Sequence, residues 1–211
     1  MDTPTVQTED VHSRAAAEAL LAAASTGRDE DVAALLGRGV PVDVTDSQGN
    51  TPLLLATAQD RVAVARLLIA AGADVNRKNR IHDSAYLLAG AAGRLEILKL
   101  TLANGADLRS TNRYGGTALI PACERGHVEV VDTLLRAGVD PDHVNKLGWT
   151  GLLEAILLSD GGPRHQAIVQ RLISAGANLN LADNDGITPL QHARQRNQTT
   201  IARMLEAAGA H

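Results

Sequence analysis

The 211-residue sequence is 45% hydrophobic and 21% charged with seven prolines, a composition that folds around a sizeable core rather than staying disordered. Aromatic residues make up 1% and Phe is absent, so Leu, Ala, Val and Ile must build that core, which disfavours an antiparallel sandwich. Twenty Lys and Arg against 24 Asp and Glu leave a net charge of −4; nucleic-acid phosphates find no overall attraction, and no nucleic-acid partner is expected.

From the N-terminus, Met1 to Ser13 carries Asp2, Glu9 and Asp10 ahead of any Lys or Arg and lacks the basic and apolar regions of a secretory signal. Residues 1–13 are expected to form a flexible segment before a single domain at 14–211. Cys123 is the sole cysteine, so an intramolecular disulfide and a Cys-rich zinc site are both excluded. No apolar run reaches the ~18 to 20 residues of a spanning helix. A cytoplasmic monomer, without cofactor, metal or membrane partner, is the expectation.

Along the rest of the chain a fixed period governs. Gly39, Gly72, Gly105 and Gly138 are evenly spaced; the step to Gly176 is longer by five positions, and the step on to Gly209 returns to the first value. Thr51, Ser84, Thr117, Thr150 and Thr188 keep the same spacing, and Ala56, Ala89, Ala122, Ala155 and Ala193 follow each by five. The longer interval therefore holds a five-residue insertion in the fifth of six units. Within a unit, Thr51 and Pro52 suit the cap and first turn of a helix, since a hydroxyl accepts from an orphan amide and Pro has none to lose. Val62 to Ala71 suits a second helix with Leu67, Leu68 and Ile69 inward, stopped by Gly72 in a left-handed conformation. An extended tip leads into the next unit.

These residues resemble the ankyrin repeat family. Thr51-Pro52-Leu53 and Thr188-Pro189-Leu190 match its opening, Gly126-His127-Val128-Glu129-Val130-Val131 its second helix, and Gly72-Ala73-Asp74-Val75-Asn76 its exit. The resemblance covers about residues 14 to 210 and is most similar to small stand-alone bacterial members. It implies an all-α solenoid of six helix-turn-helix units with extended tips, in which each unit buries its apolar face only against its neighbours. The outer units act as caps, with Gln195, Arg196, Asn197 and Gln198 facing water in the last.

Catalytic patterns are weak. Cys123 and His127 lie four apart, but the resemblance gives both structural positions. His127-Val128-Glu129 lacks the Pro-Cys-x-x-Cys of zinc deaminases. Asp183-Asn184-Asp185-Gly186 lacks the later Glu of a calcium loop, and Gly115-Gly116-Thr117 lacks a phosphate-binding Lys. A non-enzymatic chain that binds another protein follows.

The family's groove, lined by tips and first helices, directs attention to Arg80, Ile81, His82 and Asp83 in the third unit and to Arg113, Tyr114, Glu124 and Arg125 in the fourth. The fifth supplies Lys146, Leu147, Trp149, Glu154, Leu157 and Leu158, and the sixth Asp185, Ile187, His192 and Gln195. Aromatics and Arg are frequent interface anchors, which favours Tyr114 and Trp149; the alternative for Trp149 is local packing over its neighbouring tip. Glu154 stands where earlier units have Leu55, Leu88 and Pro121; it either requires a cationic partner or belongs to a solvated face. His82 stands where other tips have Gly, so the tip is either strained or follows another path. The insertion, Ser159 to His165, is expected as a shaped turn opposite the tips, with Arg164 and His165 as binding candidates. The alternative to a protein partner is a small-molecule or enzymatic site using Asp83, Glu124, Glu154, His165 and His192.

Overall fold

The computed structural model describes the backbone from residue 5 to residue 211 and side chains from Ser13 onward. Among these residues there are twelve helices and no strand. They follow one another as α1 (Thr5–Thr26), α2 (Asp29–Gly37), α3 (Pro52–Ala58), α4 (Val62–Ala70), α5 (Ala85–Ala92) and α6 (Leu95–Ala103). The second half holds α7 (Leu119–Glu124), α8 (Val128–Ala137), α9 (Gly151–Leu157), α10 (Pro163–Ser174), α11 (Pro189–Gln195) and α12 (Thr199–Ala207). Of the expected flexible segment 1–13, residues 1–4 lie outside the described residues, and α1 runs from Thr5.

Each odd-numbered helix packs on the even-numbered one after it. The odd helices also stack on one another from α1 to α11, and the even ones from α2 to α12, which makes a two-layered solenoid. The core runs continuously between the layers, from Leu20 and Val32 through Leu68, Leu98, Leu134 and Leu172 to Leu205, all with no exposed surface. Cooperativity follows, because every inner unit buries its apolar stripe against two neighbours.

Caps set the helix starts. Thr51, Ser84, Thr150 and Thr188 each accept the backbone N–H three residues on, and Thr188 adds a reciprocal bond from its own N–H to the Gln191 side chain, a capping box. Thr117 departs from the series. Its Oγ1 is buried without a partner, and α7 is capped at Ala118 instead. The cause is Pro121: Leu55, Leu88, Glu154 and His192 each donate a backbone N–H to the Thr or Ser carbonyl four residues back, and Pro has no N–H to donate.

Each tip is organised by one carboxylate or amide. Asp46, Asn79, Asn112, Asn145 and Asp183 accept, through Oδ1, the N–H groups two and four residues on, at 2.8 to 3.1 Å. The turn needs a left-handed residue three positions on, filled by Gly49, Gly115, Gly148 and Gly186; in the third unit His82 takes that conformation at φ 63°. The strained alternative for this tip is therefore the one adopted.

At the opposite end a second ladder ties the units together. Arg61 donates to the Ser25 carbonyl, Arg94 to Ala58 and His165 to Glu124, and the His127 ring lies by the Ala91 carbonyl in the same series. Gln198 completes the series by donating to both Ile156 and Ser159. The carbonyls of Ser25, Ala58, Ala91 and Glu124 recur at the same constant step as the first four glycines. Gln198 is only 7% exposed, so it does not face water as expected of it, whereas Gln195, Arg196 and Asn197 do. The inserted residues are also divided differently from the expected turn. Ser159 to Gly162 form the turn, and Pro163, Arg164 and His165 start α10 early, adding a turn of helix.

Candidate functional site

A groove of about 410 Å³ opens on the tip side of the third to fifth units. Its floor comes from first helices and the residues that end them: Leu88 and Ala91 by α5, Ile120, Pro121, Glu124 and Arg125 by α7, Glu154 and Leu158 by α9. Its lip comes from three tips through Asp83, Tyr114 with Arg113, and Leu147. Rigid helices therefore hold Glu124, Arg125 and Glu154 among apolar floor residues, while the tips project Tyr114 and Leu147 over them.

Glu154 is the most constrained of these groups. It is 6% exposed, and Asn145 Nδ2 donates to its Oε1 at 2.7 Å. Burial, with the neighbouring Glu124 carboxylate second, pushes its pKa up to about 7, against the lowering effects of Asn145 and Arg125. Asp83 is also raised, by burial, while Arg113 and Arg125 pull it down. Arg113 lies over the Tyr114 ring at 4.7 Å, a cation–π contact. Arg125 donates from Nη1 to the Ala91 carbonyl at 2.7 Å. Both cations of the groove, Arg113 on the lip and Arg125 on the floor, are thus already engaged.

The groove brings together Asp83, Arg113, Tyr114, Glu124, Arg125 and Glu154 from the expected set. Others lie elsewhere. Arg80 is exposed outside the lining, and its N–H bonds the Gln48 carbonyl of the preceding tip. Trp149 is half-buried outside the groove lining, and its backbone pairs with Asn145 in both directions. Leu157 is half-buried at the end of α9, and Leu158, one helical turn from Glu154, lines the groove in its place. Arg164 lies at the far end near Gly93, Gly126 and His127, and the His165 ring is spent on the Glu124 carbonyl at 2.9 Å. His192 is 8% exposed and pairs with Asp183 at 2.7 Å in the sixth unit; Asp183 is held below its usual value by the Ile187 N–H first and by His192 among other bonds.

Sequence reasoning missed Asn145, which both shapes its tip and holds Glu154. The signal was present: Asp46, Asn79, Asn112, Asn145 and Asp183 recur at the same steps as the glycines, the longer one included. Cys123 is fully buried beneath the groove, and burial pushes its thiol up, with Glu154 adding to the effect. Both effects disfavour the thiolate, the reactive form of a cysteine.

The family model described as ankyrin repeats (3 copies) matches residues 6–79 and 85–180. A crystal structure of an ankyrin repeat domain from Acinetobacter baumannii AYE is 55% identical, with a TM-score of 0.89 over 91% of this chain and 98% of that one. The crystal structure of EF0377, an ankyrin repeat protein, is 42% identical, with a TM-score of 0.87 over 92% of this chain and 98% of its own. The putative ankyrin repeat protein YahD of Escherichia coli (strain K12) is 55% identical over 58 residues, which span 28% of this chain and 29% of that relative's length.

Proposed function

The chain belongs to the ankyrin repeat family, and from that premise we propose that it is a non-catalytic scaffold holding a partner protein in the groove of the third to fifth units. Ankyrin repeats serve generally as protein–protein interaction scaffolds and are typically not enzymes. The observation that carries the proposal is the groove itself, where Tyr114, Leu147 and Leu158 are 58%, 54% and 48% exposed on backbone fixed by helices and tip bonds. Exposed apolar groups on a preorganised frame bind with little ordering entropy to lose. No described helix is long and apolar enough to cross a membrane. With one free, buried cysteine, the scaffold suits a reducing compartment, and we place it in the cytoplasm as a monomer.

The test is a photo-reactive benzoylphenylalanine installed in cells at Tyr114 or Leu147, with Glu96 and Glu129 on the even-numbered helices as comparison sites. Protein adducts should form from the first pair and not the second. Adducts from Glu96 and Glu129 alone would move the interface to the opposite layer.

A further inference from the structure

Ile81, Tyr114 and Leu147 occupy the same place on three successive, evenly spaced tips and are 47%, 58% and 54% exposed. The same place on the flanking tips holds Gln48 and Asp185. The apolar stripe therefore begins and ends with the units that form the groove. Large exposed apolar groups gathered on one run of tips, with Val144 and the groove residue Leu158 exposed in the same unit as Leu147, mark a contact surface, where scattered ones would need no explanation.

Behind that stripe the groove carries three carboxylates against two guanidinium groups, those of Arg113 and Arg125. Asp83, Glu124 and Glu154 line the groove, and none forms a salt bridge among the described residues. Glu154 is more than nine-tenths buried yet lines the groove; Asn145 satisfies Oε1, and Oε2 has no hydrogen-bond partner among the described residues. Oε2 is not one of the sealed, unsatisfied polar atoms; it opens to the groove, where a cation can reach it and offset the cost of holding the carboxylate charge at this largely buried site. The rest of the floor around it is largely apolar: Leu88, Ile120, Pro121 and Leu158. A guest must therefore be apolar along its length and cationic at its tip, which describes the stems and heads of Lys and Arg.

Resting on the scaffold function above, we propose that the groove receives the Lys or Arg side chain of an extended, otherwise apolar segment of the partner protein. The stem lies along Leu88, Pro121 and Leu158, the cation meets Glu154 and Glu124, and the residues on either side of it cover Tyr114 and Leu147. The elevated proton affinity of Glu154 fits a carboxylate that lacks such a cation.

The experiment follows backbone amide shifts of the whole chain on titration with three probes. These are a blocked Gly-Leu-Lys-Leu-Gly peptide, the same peptide with norleucine for Lys, and 1,4-diaminobutane. The Lys peptide should saturate groove resonances at about millimolar concentration, the weak end expected of a fragment, and bind about tenfold more tightly than the norleucine peptide. Glu154→Gln should erase that preference, and Glu154→Leu, which restores the residue type of the earlier units, should do the same if the Gln variant folds poorly. A Tyr114→Ala, Leu147→Ala double variant should weaken both peptides. Equal binding of the two peptides, or saturation by neither at about 10 mM, overturns the cation site while leaving the scaffold function to the cross-linking test. Diaminobutane binding as tightly as the Lys peptide and insensitive to the tip variants overturns the protein segment as occupant.

Discussion

Glu154 and His192 occupy the same place in successive units, four residues after Thr150 and Thr188, and each is gripped by the residue that organises its own tip. Asn145 donates to Glu154 at 2.7 Å, and His192 pairs with Asp183 at 2.7 Å. The polarity of the pair is exchanged between units while the geometry persists. Only the fifth unit thereby places a buried acid on the groove floor, because the earlier units have Leu55, Leu88 and Pro121 there.

Glu154 predicts a pH-dependent stability. Its folded pKa of about 7 lies above the ordinary 4.5, so the folded state holds the proton more tightly than the unfolded one. The resulting cost is absent below about pH 4.5, grows as pH rises towards 7, and is fully present above that. The groups facing it are Glu124, Arg125, Asn145 and the Cys123 thiol. Glu154→Gln should leave stability near pH 4.5 unchanged and raise it by roughly 1 to 3 kcal/mol at pH 8, at about 1.4 kcal/mol per pKa unit. Urea unfolding at the two pH values checks this; the same increment at both would remove ionisation as the cause.

Tyr86 predicts a gain from losing a hydroxyl. Its side chain has no exposed surface and its OH has no partner, and other units have Leu53, Leu119 and Leu152 in that place. An unsatisfied buried polar group costs ~1 to 3 kcal/mol, so Tyr86→Phe should stabilise the chain by about 1 kcal/mol. The urea midpoint should rise at unchanged slope. A fall would mean that the hydroxyl has a partner after all.

In α8 two adjacent leucines should separate. Leu134 has no exposed surface, while Leu135 is half-buried against the core. Leu134→Ala should cost ~2 to 5 kcal/mol and Leu135→Ala clearly less, although the sequence pattern treats them alike. Equal losses in thermal or urea unfolding would contradict this register.

The period carried most of the fold, because stacking demands the same small, apolar and left-handed residues at the same step in every unit. Thr51, Pro52 and Gly72 could be placed from local chemistry alone, and His82 stood out because its equivalents are Gly, although only the structure chose strain over another path. The groove was legible in outline through Tyr114, Glu124 and Glu154. What the sequence did not distinguish was facing within a helical turn: Leu158 rather than Leu157 reaches the groove, and Trp149 sits outside the lining. His165 was misjudged for a different reason. Allowing for the longer step between Gly138 and Gly176 makes it the equivalent of His127, so its ring belongs to the inter-unit ladder, but the neighbouring Gly161-Gly162-Pro163 turn draws attention to it as a surface loop.

That ladder supplies the last prediction. Gln198 spans two carbonyls, Ile156 at 2.9 Å and Ser159 at 3.1 Å, and so fastens both the end of α9 and the inserted turn to the final unit. Its side chain also packs against Gly161, where an added Cβ would meet it at 2.7 Å. Gln198→Ala should leave the buried Ile156 carbonyl without this donor, at a cost of ~1 to 3 kcal/mol. The loss should be local first, because a terminal unit has a neighbour on one side only. Amide hydrogen exchange at Gly161 and Gly162 should therefore quicken while exchange in α5 and α6 stays unchanged. The Lys peptide should bind as it does to the wild type, since Gln198 lies outside the groove lining. Unaltered exchange at Gly161 would show that Ser159 and Asp160, which accept the N–H groups of Gly161 and Gly162, hold the inserted turn without the sixth unit.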